Sequence, residues 1–190
     1  MAAPSKHVVL FSGFTQSEKT YNGIADLSTH MRELADCRKV WIHTPPFVWD
    51  KDEKVTGAYL ASIGAREVMV IGYSWGGNKA VRLAEELRDR GIKVPYLILC
   101  DPVKRPAPIS YLGKITWFRK MIRFLLPENV VKAAVFVQSK KWPYGFSVDP
   151  VLSTHVEEEH VLDIPHELMD SYPAFHEKAL KWLKLFEGEK

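Results

Sequence analysis

The fold is decided by residues 68–77, which read VMVIGYSWGG. The first four residues are apolar and predict a short buried strand. A Gly-x-Ser-x-Gly pattern centred on Ser74 comes next, and an amphipathic helical pattern that ends at Gly91 follows it. A serine at this position needs a sharp, strained turn, and Gly72 and Gly76 are required because a Cβ there would collide with a neighbouring strand or helix. The stretch therefore predicts a strand, a tight turn at Ser74 and a helix.

Short apolar runs alternate with helical patterns on both sides of this stretch. The runs lie at residues 8–11, 40–42, 96–99, 133–137 and 156–164. Most of them are separated by patterns of helical period, such as the face formed by Ile24, Leu27, Met31 and Leu34. Apolar strands joined by helices predict an α/β fold: a doubly wound, mostly parallel sheet of about six strands with helices on both faces, in α/β/α layers.

The length and composition of the chain fit one globular domain over residues 1–190. Hydrophobic residues make up 46% and charged residues 26%, which excludes a disordered or fibrous chain. The net charge of +3 is too small to indicate a nucleic-acid partner. Cys37 and Cys100 have no Cys or His partner at ligand spacing, so no metal site is predicted. No segment has the pattern of a signal peptide or a membrane span, and we expect a cytoplasmic protein.

The strand, Gly-x-Ser-x-Gly turn and helix around Ser74 resemble the nucleophile elbow of the α/β-hydrolase superfamily. The resemblance extends over nearly the whole chain from His7 onward, but it resides in the order of the strands and in short motifs. The small predicted sheet is similar to that of the minimal, cutinase-sized serine esterases, lipases and thioesterases. The resemblance implies hydrolysis of an ester or thioester through an acyl-enzyme, with Ser74 as the nucleophile and with no cofactor.

The catalytic serine of this superfamily is followed in the chain first by an acid and then by a histidine that acts as base. Four histidines come after Ser74: His155, His160, His166 and His176. Of these, His166 lies just past the predicted carboxyl end of the last strand, where the working site of a doubly wound sheet is found. The sequence therefore favours His166 as the base, with His160 in reserve.

Two aspartates are candidates for the acid. Asp101 directly follows the strand after the elbow helix and is held by Pro102, whereas Asp149 lies in the loop after the next strand. The superfamily more often carries its acid on the later strand, but Asp149 is far from the end of that strand. We prefer Asp101 and keep Asp149 as the alternative, since an Asp-Pro pair is also a common turn opener.

The resemblance also implies an oxyanion hole made of backbone N–H groups. One donor is the residue after the nucleophile, Trp75. The other comes from the loop after the first strand, where Ser12 and Gly13 stand in place of the family's His-Gly pair. By position this loop indicates the N–H of Phe14, and Thr15 stays open as an alternative.

A basic insert at about residues 103–127 is predicted to form a cap or lid beside the site. It contains six basic and no acidic residues between Asp101 and Glu128, and apolar residues at helical spacing. The insert fits either a cap packed on the core or a lid that contacts an acyl chain or an anionic membrane surface. It lacks any recognised nucleic-acid module, which disfavours nucleic-acid binding. The residues expected to line the substrate pocket or lid are Tyr73, Trp117, Phe118 and Trp142.

These observations together predict a serine hydrolase that acts on a small or lipid-like acyl ester or thioester. Two alternatives remain open at this point. The same residues fit an acyltransferase that passes the acyl group to an alcohol or amine, and the fold could be a catalytically idle binding module that uses the basic insert. The sequence does not determine the substrate or the oligomeric state.

Overall fold

The computed structural model describes residues 4–14, 16, 22–104, 123–140, 143–151, 154–161 and 163–188. The helices and strands follow in the order β1 (Lys6–Phe11), α1 (Gly23–Leu34), β2 (Val40–Ile42), α2 (Glu53–Ser62), β3 (Glu67–Tyr73), α3 (Trp75–Asp89), β4 (Val94–Cys100), β5 (Phe124–Leu125), β6 (Val130–Gln138), β7 (Val148–Asp149), β8 (His155–Val161), a 3-10 helix (His166–Ser171) and α4 (Pro173–Glu187).

Six of these strands form one parallel sheet in the order β2-β1-β3-β4-β6-β8. The sheet confirms the predicted α/β fold, including the number of strands and their parallel direction. In the register of the central strands, Phe11 lies opposite Gly72, and Tyr73 lies opposite Cys100. The carboxyl ends of β1, β3 and β4 therefore meet at one edge, and the chain segments that follow them are brought together there.

Two apolar cores lie on the two faces of this sheet. In β3, Val68 and Val70 belong to the core beneath α2 and α3, while Met69 and Ile71 belong to the core beneath α1 and α4. All four side chains are fully buried, as expected for a parallel strand covered by helices on both sides. The result is the predicted three-layer α/β/α arrangement.

The ends of the chain's helices show conventional stop and start signals. Asn22 caps α1 by accepting a hydrogen bond from the N–H of Ala25, and Asp52 caps α2 in the same way. Pro173 starts α4, and Gly188 ends it in the left-handed conformation. Within the described ranges, no helix has the length and apolar character needed to cross a membrane.

Two features of the fold differ from the sequence-based expectations. Strands β5 and β7 pair in a small second sheet. The sequence analysis did not predict either of these strands. Strand β8 is also more polar than expected, because it lies at the edge of the main sheet and most of its side chains are exposed. Charged side chains on an edge strand oppose pairing with other chains. Residues 105–122 of the predicted cap lie outside the described residues.

The turn after β3 brings helix α3 very close to β1. A Cβ built on Gly76 would lie 2.4 Å from the carbonyl oxygen of Ser12, and one built on Gly72 would lie 2.5 Å from the carbonyl oxygen of Gly76. Both neighbours are backbone atoms, which side-chain rotation cannot move away. The steric requirement predicted for these two glycines is thus confirmed.

Gly76→Ala should therefore lower the free energy of unfolding by about 1–3 kcal/mol, because the new methyl group must displace the backbone of β1. Gly57→Ala is a matched control inside helix α2, where the new Cβ would meet only side-chain atoms at 3.3 Å. Alanine favours a helix over glycine by about 1 kcal/mol, so this control should stay within about 1 kcal/mol of the wild type. Urea denaturation measures both values, and equal losses would contradict the steric explanation.

Candidate active site

Residues that follow three of the strands meet at the carboxyl edge of the sheet. Ser74 follows β3 and Asp101 follows β4, while His166 begins the 3-10 helix after β8. All three are buried, with exposed fractions of 5%, 0% and 8%. The structure therefore brings together the three residues that the sequence favoured as nucleophile, acid and base.

Ser74 is held in a strained backbone conformation. Its φ of 54° and ψ of −121° lie in a region that residues other than glycine rarely adopt. Its N–H donates to the carbonyl of Cys100 at 3.0 Å, and its carbonyl accepts from the N–H groups of Gly77 at 3.0 Å and Val103 at 2.9 Å. These bonds from two neighbouring segments hold the turn and keep the Ser74 hydroxyl on the edge of the sheet.

His166 bridges Ser74 and Asp101 through its two ring nitrogens. Nε2 lies 2.8 Å from the Ser74 hydroxyl, and Nδ1 lies 2.5 Å from Oδ2 of Asp101. An ionised carboxylate only accepts hydrogen bonds, so Nδ1 carries the ring proton and Nε2 is left to accept the proton of the serine hydroxyl. The imidazole is thus oriented to remove a proton from Ser74.

The Asp101 carboxylate is fixed from several sides. Its Oδ1 accepts a hydrogen bond of 3.1 Å from the N–H of Gln138, and its own N–H donates to the carbonyl of Phe136 at 2.7 Å. The segment around Gly145 passes so close that a Cβ there would lie 2.0 Å from Oδ1. A buried carboxylate needs such donors to offset the loss of water, and here they also fix its direction toward His166.

Asp149 and His160, the alternatives for acid and base, lie elsewhere. Asp149 is in β7, half exposed, and its carboxylate pairs with the guanidinium of Arg123 at 3.2 Å. His160 is on the edge strand β8, where Nε2 lies 2.8 Å from Oε1 of Glu158. By contrast, the buried His166 contacts Ser74, and the buried Asp101 contacts His166.

Tyr73, expected to line the substrate pocket, is buried directly behind His166. Its ring stacks on the imidazole with 5.3 Å between centroids, and its hydroxyl donates to the backbone carbonyl of His166 at 2.6 Å. Burial raises the pKa of the Tyr73 phenol, so the hydroxyl keeps its proton and remains a donor. Tyr73 therefore supports the position of the imidazole.

The loop after β1 is tied to the segment that carries His166. The Gln16 side chain accepts a 2.8 Å hydrogen bond from the N–H of Gly13 and donates one of 2.7 Å to Oδ2 of Asp170. The same Oδ2 accepts from the N–H of Gly23 at the start of α1, at 2.9 Å. Since Gln16 occupies the N–H of Gly13, that group is not a donor for an oxyanion. Thr15, the alternative to Phe14 as the second donor, lies outside the described residues.

Phe14 and Trp75, the two predicted oxyanion donors, are neighbours through their side chains. Their rings lie 4.2 Å apart, and the ring of Trp49 contacts both, at 5.1 Å from Phe14 and 5.4 Å from Trp75. We call these three residues the aromatic trio. Phe14 is 49% exposed, so the trio presents apolar surface next to Ser74.

Sequence reasoning missed Trp49, Gln16 and Asp170 as parts of this site. Trp49 could have been found, because it lies in the segment that follows the carboxyl end of β2. Gln16 and Asp170 are linked across the fold, and no local pattern marks them. Trp117, Phe118 and Trp142, predicted to line the pocket or lid, lie outside the described residues. Within the described part of the chain, no group of three His, Cys, Asp or Glu side chains is arranged to hold a metal ion.

Comparison with known proteins identifies the fold. No family model and no curated protein matches the sequence. Among solved structures, the RedJ thioesterase of the prodiginine pathway in Streptomyces coelicolor has a TM-score of 0.56 and 13% identity, with 97% of this chain and 87% of that chain covered. The esterase of Pyrobaculum calidifontis has a TM-score of 0.55 and 15% identity, with 98% and 76% covered.

A third structure, the thioesterase domain SrfTE that cyclises the lipopeptide antibiotic surfactin, has a TM-score of 0.54 and 10% identity, with 98% of this chain and 93% of that domain covered. These proteins are α/β-hydrolases, and the chain has the α/β-hydrolase fold. Identities this low establish the fold alone, so the chemistry has to be argued from the site.

Tyr73→Phe should reduce the free energy of unfolding by about 1–3 kcal/mol, because it leaves the buried carbonyl of His166 without its donor. Tyr172→Phe is the matched control, since the Tyr172 hydroxyl donates to the carboxylate of Glu159 at the exposed surface. Its loss should cost less than about 1 kcal/mol, because water replaces an exposed partner. Thermal unfolding followed by circular dichroism compares the two variants, and a larger loss for Tyr172→Phe would refute the role given to Tyr73.

Proposed function

We propose that the protein is a serine hydrolase that cleaves a carboxylic ester or thioester through an acyl-enzyme. The observation that carries the proposal is the continuous buried contact from Ser74 through His166 to Asp101, with distances of 2.8 Å and 2.5 Å. The strained φ of Ser74 adds to it, because strain at a non-glycine residue is characteristic of functional positions. A protein without catalytic activity has no need to maintain this arrangement.

In the proposed reaction, the Ser74 Oγ attacks the carbonyl carbon of the substrate while Nε2 of His166 takes the hydroxyl proton. The bond between the carbonyl carbon and the leaving oxygen or sulfur then breaks, and His166 returns the proton to the leaving alcohol or thiol. Water, activated by the same nitrogen, releases the acid and restores Ser74. Asp101 stays ionised throughout and stabilises the imidazolium that forms in each half of the cycle.

The negative charge on the carbonyl oxygen needs fixed donors at the moment of attack. We assign this role to the backbone N–H groups of Trp75, the first residue of helix α3, and Phe14. The N-terminal end of a helix is favourable for negative charge, which supports Trp75 as a donor. The hydrogen bond from Gly13 to Gln16 supports Phe14, because it removes the preceding N–H from the choice.

The aromatic trio favours an apolar group on the substrate. Phe14, Trp49 and Trp75 offer ring faces beside the nucleophile, and burying such a surface against an acyl chain or ring is favourable by about 25 cal/mol per Å². We assign the trio to the binding of the acyl or leaving group. A water-soluble, highly charged substrate does not match this surface.

Ser74→Ala should abolish both hydrolysis of a short p-nitrophenyl ester and covalent labelling by a fluorophosphonate, because both require the same oxygen nucleophile. Labelling is measured by intact mass, which should rise by one probe per wild-type chain. Ser171→Ala, which changes a serine outside the contact with His166, should keep full labelling. A wild-type chain that never labels and never hydrolyses the ester series would contradict the proposal.

Asp101→Asn should lower turnover by about 10⁴-fold, because an amide cannot hold His166 in the tautomer with the proton on Nδ1. Asp149→Asn is the matched control and should change turnover by less than about threefold, since its half-exposed carboxylate pairs with the exposed Arg123. The ratio of kcat values decides the assignment. Equal and mild losses in the two variants would overturn the choice of Asp101.

A further inference from the structure

A cavity lies at the edge of the sheet beside β2, apart from the residues around Ser74. Its volume is about 560 Å³, which falls within the range of about 300–1,000 Å³ usual for small-molecule sites. The lining residues that matter for its chemistry are Arg32, Trp41, His43, Phe47, Lys51 and Tyr59. We call it the β2 cavity.

The β2 cavity shares no lining residue with the proposed catalytic site. Phe47 and Val48 line it, whereas Trp49, the next residue along the chain, contacts Phe14 and Trp75 instead. None of Ser74, Asp101 and His166 lines the β2 cavity. A ligand in it would therefore be bound by side chains that take no part in the proposed hydrolysis.

Aromatic side chains supply most of the apolar surface of the β2 cavity. Trp41 is 51% exposed and Tyr59 is 47% exposed, although both are large apolar groups on ordered elements. The ring of His43 packs edge-on against Tyr59 with 5.9 Å between centroids and lies 6.0 Å from Phe47. Large ring faces left accessible around one cavity favour a flat apolar ligand.

Two cations face this cavity without a carboxylate partner. In the described part of the chain, neither Arg32 nor Lys51 forms an ion pair, in contrast to Arg38 and Arg88. The guanidinium of Arg32 donates to the hydroxyl of Thr44 at the cavity wall, at 3.3 Å, and the ammonium of Lys51 lies 5.9 Å from the Phe47 ring centroid.

Neither Asp52 nor His43 forms an ion pair with these two cations in the described part of the chain. The carboxylate of Asp52, next to Lys51 in the chain, accepts hydrogen bonds from the N–H groups of Lys54 and Val55 as the cap of α2. Burial, and to a lesser degree His7, lowers the pKa of His43 to about 4, so this imidazole is neutral near pH 7. The positive charge at the cavity therefore comes from Arg32 and Lys51.

We propose that the β2 cavity is a binding site for a small aromatic anion. The flat ring system packs against Trp41 and Tyr59, and its carboxylate or phosphate group is held by Arg32 and Lys51. Arginine suits either head group because its planar donors match two oxygens at once. The hydroxyl of Thr44, which accepts from Arg32, lies in the same wall. The site is independent of the proposed hydrolysis at Ser74.

Isothermal titration of the full chain with four naphthalene probes tests this site. The probes are 1-naphthoate, 1-naphthyl phosphate, neutral 1-naphthalenemethanol and cationic 1-naphthylmethylamine, and comparing the first two distinguishes the two head groups. At least one anion should bind at one site per chain. The neutral probe should bind at least about tenfold more weakly than that anion, because it lacks the charge-assisted hydrogen bonds to Arg32 and Lys51. Equal binding of the cationic probe, or no binding of either anion, would overturn the proposal.

Variants then locate the bound anion. Arg32→Gln and Lys51→Gln should each weaken its binding by about tenfold or more, and Trp41→Ala should weaken the neutral probe as well. Arg66→Gln and Lys54→Gln remove exposed cations that do not line the cavity and should change the affinity by less than about twofold. Thermal unfolding checks that each variant is folded. Binding that persists in folded Arg32→Gln and Lys51→Gln would place the anion elsewhere and refute the site.

Discussion

The structure around Ser74 depends on how closely the start of helix α3 approaches strand β1. Gly76 passes the carbonyl groups of Phe11 and Ser12 at a distance that leaves no room for a side chain. This approach also brings Gly13 against the turn, where a Cβ would lie 3.2 Å from the Cβ of Ser74. A single steric constraint thus puts the serine, the N-terminus of a helix and the loop after β1 side by side. Backbone hydrogen bonds to Cys100, Gly77 and Val103 hold Ser74 in its strained conformation.

Two buried carboxylates fix the segment that carries His166. Asp101 binds the imidazole itself and is anchored to β6 by the N–H of Gln138, while Asp170 binds the start of α1 and the Gln16 side chain. Burying a carboxylate costs several kcal/mol unless donors replace its water, and both groups have such donors. Both carboxylates connect distant parts of the chain at one edge of the sheet. Their common consequence is a fixed position for His166 relative to Ser74 and to the loop after β1.

The sequence was sufficient to predict the main sheet and the three candidate catalytic residues that meet at its edge. Strand β3 is apolar on both faces, which marks it as a central strand. Ser74 follows β3, Asp101 follows β4, and His166 lies shortly after β8. The order of the strands therefore brings the three residues together. The remaining parts depend on contacts between distant residues. Asp170 is recognised only through its bonds to Gln16 and to the N–H of Gly23, and such long-range bonds leave no periodic signal in the chain. The small sheet of β5 and β7 was missed because each strand has only two residues, too few for a pattern.

The segment after β2 contributes side chains to both the proposed catalytic site and the β2 cavity. Its backbone is hydrogen-bonded to β1 and to the residue that follows β1. The N–H of Phe47 donates to the carbonyl of Leu10 at 2.8 Å, and the carbonyl of Phe47 accepts from the N–H of Ser12 at 2.9 Å. These bonds attach the segment to β1 as a short continuation of the sheet. Phe47 then lines the cavity, while Trp49 contacts Phe14 and Trp75 as the third member of the aromatic trio. Because Phe47 is fixed by strand-like hydrogen bonds, the positions of its side chain and of the nearby Trp49 are set by the sheet. The proposed catalytic site and the proposed anion site can therefore adjoin without sharing a side chain.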